Sequence, residues 1–149
     1  MHTETSIFMR SSLERIFETA ADISLWPAIL PHYRRVQFLE RSPGRNVVRM
    51  AAWRGWLPVS WTAEQTVDRQ RREIRFRHLT AFTRGMVVVW SFRQGRDGVE
   101  VRIVHDLSLR VPVIGRLVAD RIIGRFFIDY VAGRTLRCMK EYVESAGAA

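Results

Sequence analysis

Three polar side chains fall in the apolar rows of alternating segments: Gln65, His78 and His105. An imidazole titrates near neutral pH and can carry a proton, and a side-chain amide can hydrogen-bond a carbonyl group. A buried polar group without a partner costs about 1–3 kcal/mol. We therefore expect these three groups either to satisfy one another and the backbone, or to line a cavity that holds water and a ligand.

The alternation is clearest in VEVRIVHDLSLR, residues 99–110, where valine, isoleucine and leucine alternate with polar residues. This period of two is typical of a strand with one buried face, and it turns His105 inward. The same argument turns Gln65 and His78 inward from two earlier strands. Large apolar side chains share this predicted interior: Trp61, Phe76, Met86 and Trp90. A few polar groups among aromatic side chains are typical of a small-molecule pocket, although each group taken alone could be an ordinary core residue.

Other chemistries lack the residues that they need. Alternation turns Glu64 and Asp106 outward, so no carboxylate joins the two inward histidines, and we expect no metal site and no cofactor. Cys138 is the only cysteine, which excludes an internal disulfide. No serine has the context of a nucleophile elbow, and no glycine-rich loop precedes a helix. Covalent or phosphoryl-transfer catalysis is therefore not expected.

The length of 149 residues and the hydrophobic content of 47% suit one globular domain, residues 1–149, with a sizeable core. Uncharged apolar runs are too short to span a bilayer, and the N-terminal residues lack the apolar stretch of a signal peptide. We expect a cytoplasmic protein.

The chain is strongly basic, with a formal net charge of +9 and with Lys140 as its only lysine. Such a charge can indicate nucleic acid, an anionic membrane surface or an acidic ligand. The basic residues are scattered along the chain, which favours a solvated arginine-rich surface. We expect no nucleic-acid partner, and peripheral contact with a membrane stays open.

The remaining elements follow from changes of period. Residues 3–10 predict a first strand, Ser11 and Glu14 have the spacing of a capping box for a short helix, and a second short helix follows within residues 22–31. Six further strands are predicted near residues 34–41, 46–55, 58–68, 72–80, 85–94 and 98–110, of which the second alternates poorly. Their short connections favour antiparallel neighbours.

A period of three to four residues replaces the alternation after Arg110 and predicts one amphipathic helix over about 112–145. Gly115, Gly124 and Gly133 weaken it locally. The predicted fold class is α+β: a curved antiparallel sheet of about seven strands wrapped around this long helix, with two short helices after the first strand.

This order of elements resembles the START-like, helix-grip superfamily (SRPBCC), and within it the polyketide cyclase/aromatase group. The most specific part is DISLWPAILPHYRRVQFLE, residues 22–40. Asp22, Trp26, Pro27 and Tyr33 are similar there to an Asp-Ile-x-x-Trp-Pro segment that tetracenomycin-type aromatase/cyclases carry ahead of a tyrosine.

The resemblance implies a deep cavity that folds a poly-β-ketone for aldol cyclisation and dehydration. Tyr33 matches a pocket tyrosine, Gln65 stands where these proteins place an arginine, and His105 stands where they place a glutamine. Together these three form the predicted catalytic set, with His105 as the proton carrier. The predicted ligand-binding residues are Trp26, Trp61, Phe76, His78, Met86, Trp90, Phe126 and Tyr130.

Two functions remain open at this point. The first is a polyketide cyclase/dehydratase that needs no metal or cofactor and takes a hydrophobic substrate that an acyl carrier protein could deliver. The second is a carrier without chemistry, which binds a lipid, or a quinone in the manner of coenzyme Q-binding members of the superfamily.

Overall fold

The structure is a computed structural model that describes residues 1–107 and 127–147. Within these residues seven antiparallel strands form a single sheet: β1 (His2–Met9), β2 (Tyr33–Ser42), β3 (Arg45–Arg54), β4 (Leu57–Asp68), β5 (Glu73–His78), β6 (Val87–Gln94) and β7 (Val99–Asp106). Their order across the sheet is β1-β7-β6-β5-β4-β3-β2. All seven predicted strands are present, including β3, where alternation is weak because Ala51 and Ala52 are both buried.

The register of the central strands places the inward residues side by side. In β7 the buried and exposed residues alternate from Val99 to Asp106. His105 is paired with Thr3 of β1 on one side and with Val88 of β6 on the other. The turns that join β2 to β3 and β3 to β4 contain Gly44 and Gly55, whose φ angles of +74° and +61° favour glycine.

The two short helices follow β1. Helix α1 (Leu13–Ala21) is capped by Ser12, whose hydroxyl accepts a hydrogen bond from the Arg15 amide at 3.2 Å. The predicted cap at Ser11 is therefore wrong by one residue, because the helix begins one residue later. A short 3-10 turn (Ile23–Leu25) leads into α2 (Trp26–Ile29). Pro27 lies in the first turn of α2, where backbone N–H groups have no acceptor within the helix, so its missing N–H costs no helical hydrogen bond.

The C-terminal helix α3 (Asp129–Gly147) packs its apolar stripe against the sheet and α1. Leu136, Met139 and Val143 are fully or almost fully buried in the same core as the inward strand residues. The helix runs through Gly133 without a break. The start of the predicted helix at residues 112–126, with Gly115 and Gly124, lies outside the described residues. The α+β helix-grip fold class is confirmed.

No helix within residues 1–107 and 127–147 has both the length and the hydropathy of a membrane span.

Candidate functional site

A cavity lies between the buried face of the sheet and α3, and its enclosed volume is about 60 Å³. Eight of the predicted site residues line it: Trp26, Tyr33, Trp61, Phe76, His78, Met86, Trp90 and His105. Eight further described residues, which were not among the predicted site residues, also line it: Met50, Val88, Ile103, Phe127, Ile128, Val131, Ala132 and Thr135. Helical spacing could have identified Thr135, because it lies four residues after Val131 and four before Met139 on the buried stripe.

Trp26 is the centre of the aromatic wall. Its ring centroid lies 5.2 Å from that of Tyr33 and 5.7 Å from those of Phe76 and Trp90. These separations fall in the range at which edge-to-face and tilted aromatic pairs attract each other. The short α2 helix thus carries the residue that joins three strands into one aromatic surface.

His78 is a partnered histidine. Its Nδ1 lies 2.7 Å from the hydroxyl oxygen of Thr83, and its ring stacks on Trp61 with an angle of 5° between the ring planes. Burial lowers the pKa of His78 to about 3, with a smaller contribution from His105. His78 is therefore neutral at pH 7, and one of its nitrogens is already committed.

His105 is only 8% exposed, and among the described residues its Nδ1 has no hydrogen-bond partner. Burial lowers the pKa of His105 to about 4, against a smaller opposing effect of Asp106. The Nε1 atom of Trp26 is also buried without a partner. Two polar groups of the same cavity thus have unused hydrogen-bonding capacity, one an imidazole nitrogen and the other an N–H donor.

Tyr33 brings a hydroxyl to the cavity. Burial raises the pKa of this hydroxyl, and a hydrogen bond with Thr135 opposes the rise. The hydroxyl therefore stays protonated at neutral pH and remains a hydrogen-bond donor. Thr135 in turn donates to the Val131 carbonyl at 2.7 Å and lies 2.8 Å from the Nε2 atom of His32.

Gln65 and Tyr130 do not line this cavity. Gln65 is fully buried, but its amide donates to the Ala21 carbonyl at 3.0 Å and accepts from Asn46 at 3.0 Å. Its amide joins α1 to the sheet, so it is not available to a ligand. Tyr130 lies in a separate outer groove, which it shares with Arg134. Phe126 lies outside the described residues.

Every described residue that lines the cavity is uncharged at pH 7, the two histidines included. Within the described ranges no group of three or more histidine, cysteine, aspartate or glutamate residues could hold a metal ion. The described wall can therefore act on a ligand through shape, aromatic contact, neutral hydrogen bonds and proton exchange at an imidazole.

Comparison with known proteins gives a family match over most of the chain. Residues 9–127 match the family described as "Polyketide cyclase / dehydrase and lipid transport". The bifunctional cyclase/dehydratase of the actinorhodin polyketide synthase from Streptomyces coelicolor is 35% identical over 96 residues, which cover 63% of this chain and 30% of that protein. The chain thus spans less than a third of the length of that relative.

Solved structures share the fold. A protein from Thermus thermophilus superimposes with a TM-score of 0.83 at 18% identity, covering 98% of this chain and 99% of that one. The Zhui aromatase/cyclase from a Streptomyces species superimposes with a TM-score of 0.76 at 18% identity, covering 99% and 98%. At this level of identity the likeness concerns the fold.

Proposed function

The chain belongs to the polyketide cyclase/dehydrase and lipid transport family, and we propose that it binds a hydrophobic, polyketide-like molecule in its interior cavity and promotes aldol cyclisation and dehydration. In this proposal residues 1–149 act as one START-like ligand-binding domain. An acyl carrier protein would present the substrate.

The observation that carries the proposal is a pair of polar atoms in the cavity wall, Trp26 Nε1 and His105 Nδ1, that have no hydrogen-bond partner within residues 1–107 and 127–147. Leaving a buried polar atom without a partner costs about 1–3 kcal/mol, so a ligand that supplies both partners gains binding free energy. Trp26 Nε1 can only donate, which suits a carbonyl oxygen. A poly-β-ketone carries several carbonyl oxygens along an otherwise apolar chain.

The proposed chemistry uses three residues. Trp26 donates to one carbonyl oxygen. Tyr33, whose hydroxyl donates to Thr135 in the structure, donates to a second carbonyl oxygen when the substrate replaces Thr135 as its acceptor. These bonds make the adjacent methylene group more acidic and the attacked carbonyl more electrophilic. His105 takes a proton from that methylene as the new carbon–carbon bond forms. The imidazolium returns this proton to the alkoxide oxygen formed from the attacked carbonyl, which gives the aldol hydroxyl and a neutral His105. In the dehydration His105 takes the remaining proton from the same carbon and gives it to that hydroxyl, which leaves as water as the carbon–carbon double bond forms, so the imidazole again ends neutral.

The enclosed volume of about 60 Å³ is small beside the roughly 300–1,000 Å³ of typical ligand pockets. A ring system therefore requires wall side chains to move apart. The aromatic residues around Trp26 are the ones that such a movement would displace.

A carrier function is the second candidate, and the low pKa of His105 favours it. An imidazole with a pKa of about 4 is a weak base at neutral pH. A lipid or quinone bound by the same aromatic wall would use the hydrogen-bonding groups without any proton transfer.

The test is His105→Gln, which keeps hydrogen-bonding ability and removes titration. We expect cyclisation of a synthetic poly-β-ketone thioester, followed by chromatography of the products, to fall by about 100-fold or more. Ligand affinity, followed by quenching of tryptophan fluorescence, should change by only about 1 kcal/mol. His2→Gln is the matched control, since His2 is exposed on the edge strand β1.

Wild-type rates in His105→Gln would contradict the proposed proton transfer. Ligand binding by the wild-type protein without any turnover of the thioester would support the carrier function instead. Thermal unfolding of each variant separates these outcomes from a loss of folded protein.

A further inference from the structure

A second concave site lies on the outside of the molecule, beside the interior cavity. We call it the outer groove; its volume is about 530 Å³, and it is walled by His32, Trp53, Trp56, Tyr130 and Arg134. These residues come from the segment before β2, the end of β3 and the turn that follows it, and the first turns of α3. The outer groove is therefore assembled by the fold from parts that are distant along the chain.

The outer groove carries positive charge. The half-buried Arg134 donates from Nη1 to the Tyr130 hydroxyl at 2.8 Å, and the guanidinium of Arg54 lies 4.5 Å from the centre of the same ring. No carboxylate pairs with Arg134 within the part of the chain that the structure describes. A guanidinium without a counter-charge in a concave site favours an anionic group, which it can bind through two parallel hydrogen bonds.

The outer groove also presents aromatic surface. Trp56 is 86% exposed at the turn between β3 and β4, and Trp53 is 39% exposed with the guanidinium of Arg34 at 4.7 Å from its ring. Exposed tryptophan beside a groove is unusual on a surface that has no binding role. Its flat face suits the apolar body of a ligand whose anionic group lies at Arg134.

His32 supplies an independent sign of a ligand. It is only 4% exposed, and its Nδ1 has no hydrogen-bond partner in the described part of the chain, although the residue lines the outer groove. Because the Thr135 hydroxyl donates to the Val131 carbonyl, it accepts from His32 Nε2, which leaves Nδ1 as an acceptor. That acceptor suits an N–H or O–H of the ligand.

The same residues separate the groove from the cavity. Thr135 lines the interior cavity, and the His32 ring lies 5.0 Å from that of Tyr33, which also lines it. A ligand longer than the cavity could therefore have its outer end close to Arg134.

We propose that the outer groove is a binding site for an anionic group (carboxylate, sulfonate or phosphate) joined to a flat apolar body, with Arg134 binding the anion and Trp56 stacking on the body. The proposal stands on the residues of the groove. It depends on the proposed function only in assigning the rest of the natural ligand to the interior cavity.

The test compares two fluorescent probes that differ by one charged group. Anilinonaphthalene sulfonate has an anionic group, an N–H and flat rings, and phenylnaphthylamine lacks the anionic group. We expect Arg134→Gln to weaken the affinity for the sulfonate about tenfold, with little change for the neutral probe. Arg137→Gln is the matched control, because it removes the same charge from an exposed position one turn along α3.

Trp56→Ala should weaken both probes, and it keeps the test valid if Arg134→Gln fails to fold, since Trp56 is exposed. Equal sulfonate affinity in Arg134→Gln and Arg137→Gln would overturn the proposal, as would equal weakening of both probes in Arg134→Gln or unchanged binding in Trp56→Ala. None of these measurements depends on turnover, so they can fail while the cyclisation test succeeds.

Discussion

The interior cavity and the outer groove are neighbours and both are lined by aromatic side chains, but they differ in charge and in exposure to solvent. The described wall of the cavity is aromatic and neutral, and the groove is more open, aromatic and cationic. Solvent explains the difference. Burial removes the charge from His78 and His105, whereas the partly solvated guanidinium of Arg134 keeps its charge. The cavity can therefore select by shape and by neutral hydrogen bonds, and the groove by charge.

The largest effect is expected from truncating a tryptophan in each region. Trp26 is 2% exposed and contacts three aromatic rings, so Trp26→Ala should lower the free energy of unfolding by about 3–5 kcal/mol. Trp56 is 86% exposed, so Trp56→Ala should change it by about 0.5 kcal/mol or less. Urea unfolding measures both. Equal losses of unfolding free energy in the two variants would contradict the distinction between a packed cavity and an open groove.

The next largest expected effect is a dependence of stability on pH, which arises because the interior histidines are neutral in the folded chain. Burial lowers the pKa of His105 from 6.5 to about 4, so below pH 6.5 the unfolded chain takes up a proton that the folded chain does not. Stability should fall as the pH decreases from about 6.5 to about 4, on the order of 3 kcal/mol for this histidine. His105→Gln should make the dependence on pH shallower, as measured by urea unfolding at several pH values.

His2 provides the control of opposite sign. Hydrogen bonds with Asp106 and Glu4 raise the pKa of this exposed histidine. Its stabilising contribution is complete at pH values below 6.5 and is lost as the pH rises through the raised pKa. His2→Gln should therefore remove the gain in stability that the wild-type protein shows as the pH falls through the raised pKa to about 6.5, and it should leave the loss of stability below pH 6.5 unchanged. An unchanged pH profile in His105→Gln would show that this histidine is not buried in its neutral form.

The smallest expected effect is on the pKa of His32, which lies between the two regions. Burial and the charge of Arg134 lower the pKa of His32 to about 4, and Arg137 adds a lesser contribution. Arg134→Gln should raise the pKa of His32, followed by NMR titration, and Arg137→Gln should raise it less. A larger rise of this pKa in Arg137→Gln than in Arg134→Gln would contradict the assignment of Arg134 as the main charge that acts on His32.

Much of the fold was predictable because hydrophobic alternation and helical spacing are local properties. The alternation of residues 99–110 placed His105 on the buried face, and the structure describes that pattern through Asp106. The seven strands and the packing of α3 on the sheet are confirmed. A pattern of period two predicts which face of the sheet a side chain occupies. The prediction was correct even for the polar residue Gln65, which is fully buried.

The partners of an inward side chain were not predictable. Gln65 and His105 both occupy inward positions of alternating segments. The amide of Gln65 bonds to the Ala21 carbonyl and to Asn46, whereas the Nδ1 of His105 has no hydrogen-bond partner among the residues that the structure describes. Tyr130 lies on the predicted stripe, but its hydroxyl accepts from Arg134 at the edge of α3, in the outer groove. These outcomes depend on which residues of other elements come within about 3 Å of a polar atom.

The sequence by itself determined the seven strands, the C-terminal helix and the inward positions of the two cavity histidines, because each follows from the period of neighbouring residues. Only the tertiary structure decided which polar atoms stay unpartnered and where charge persists. The outer groove illustrates this most plainly, since His32, Trp56 and Arg134 come from separate elements and meet only when β3, β4 and α3 are packed together.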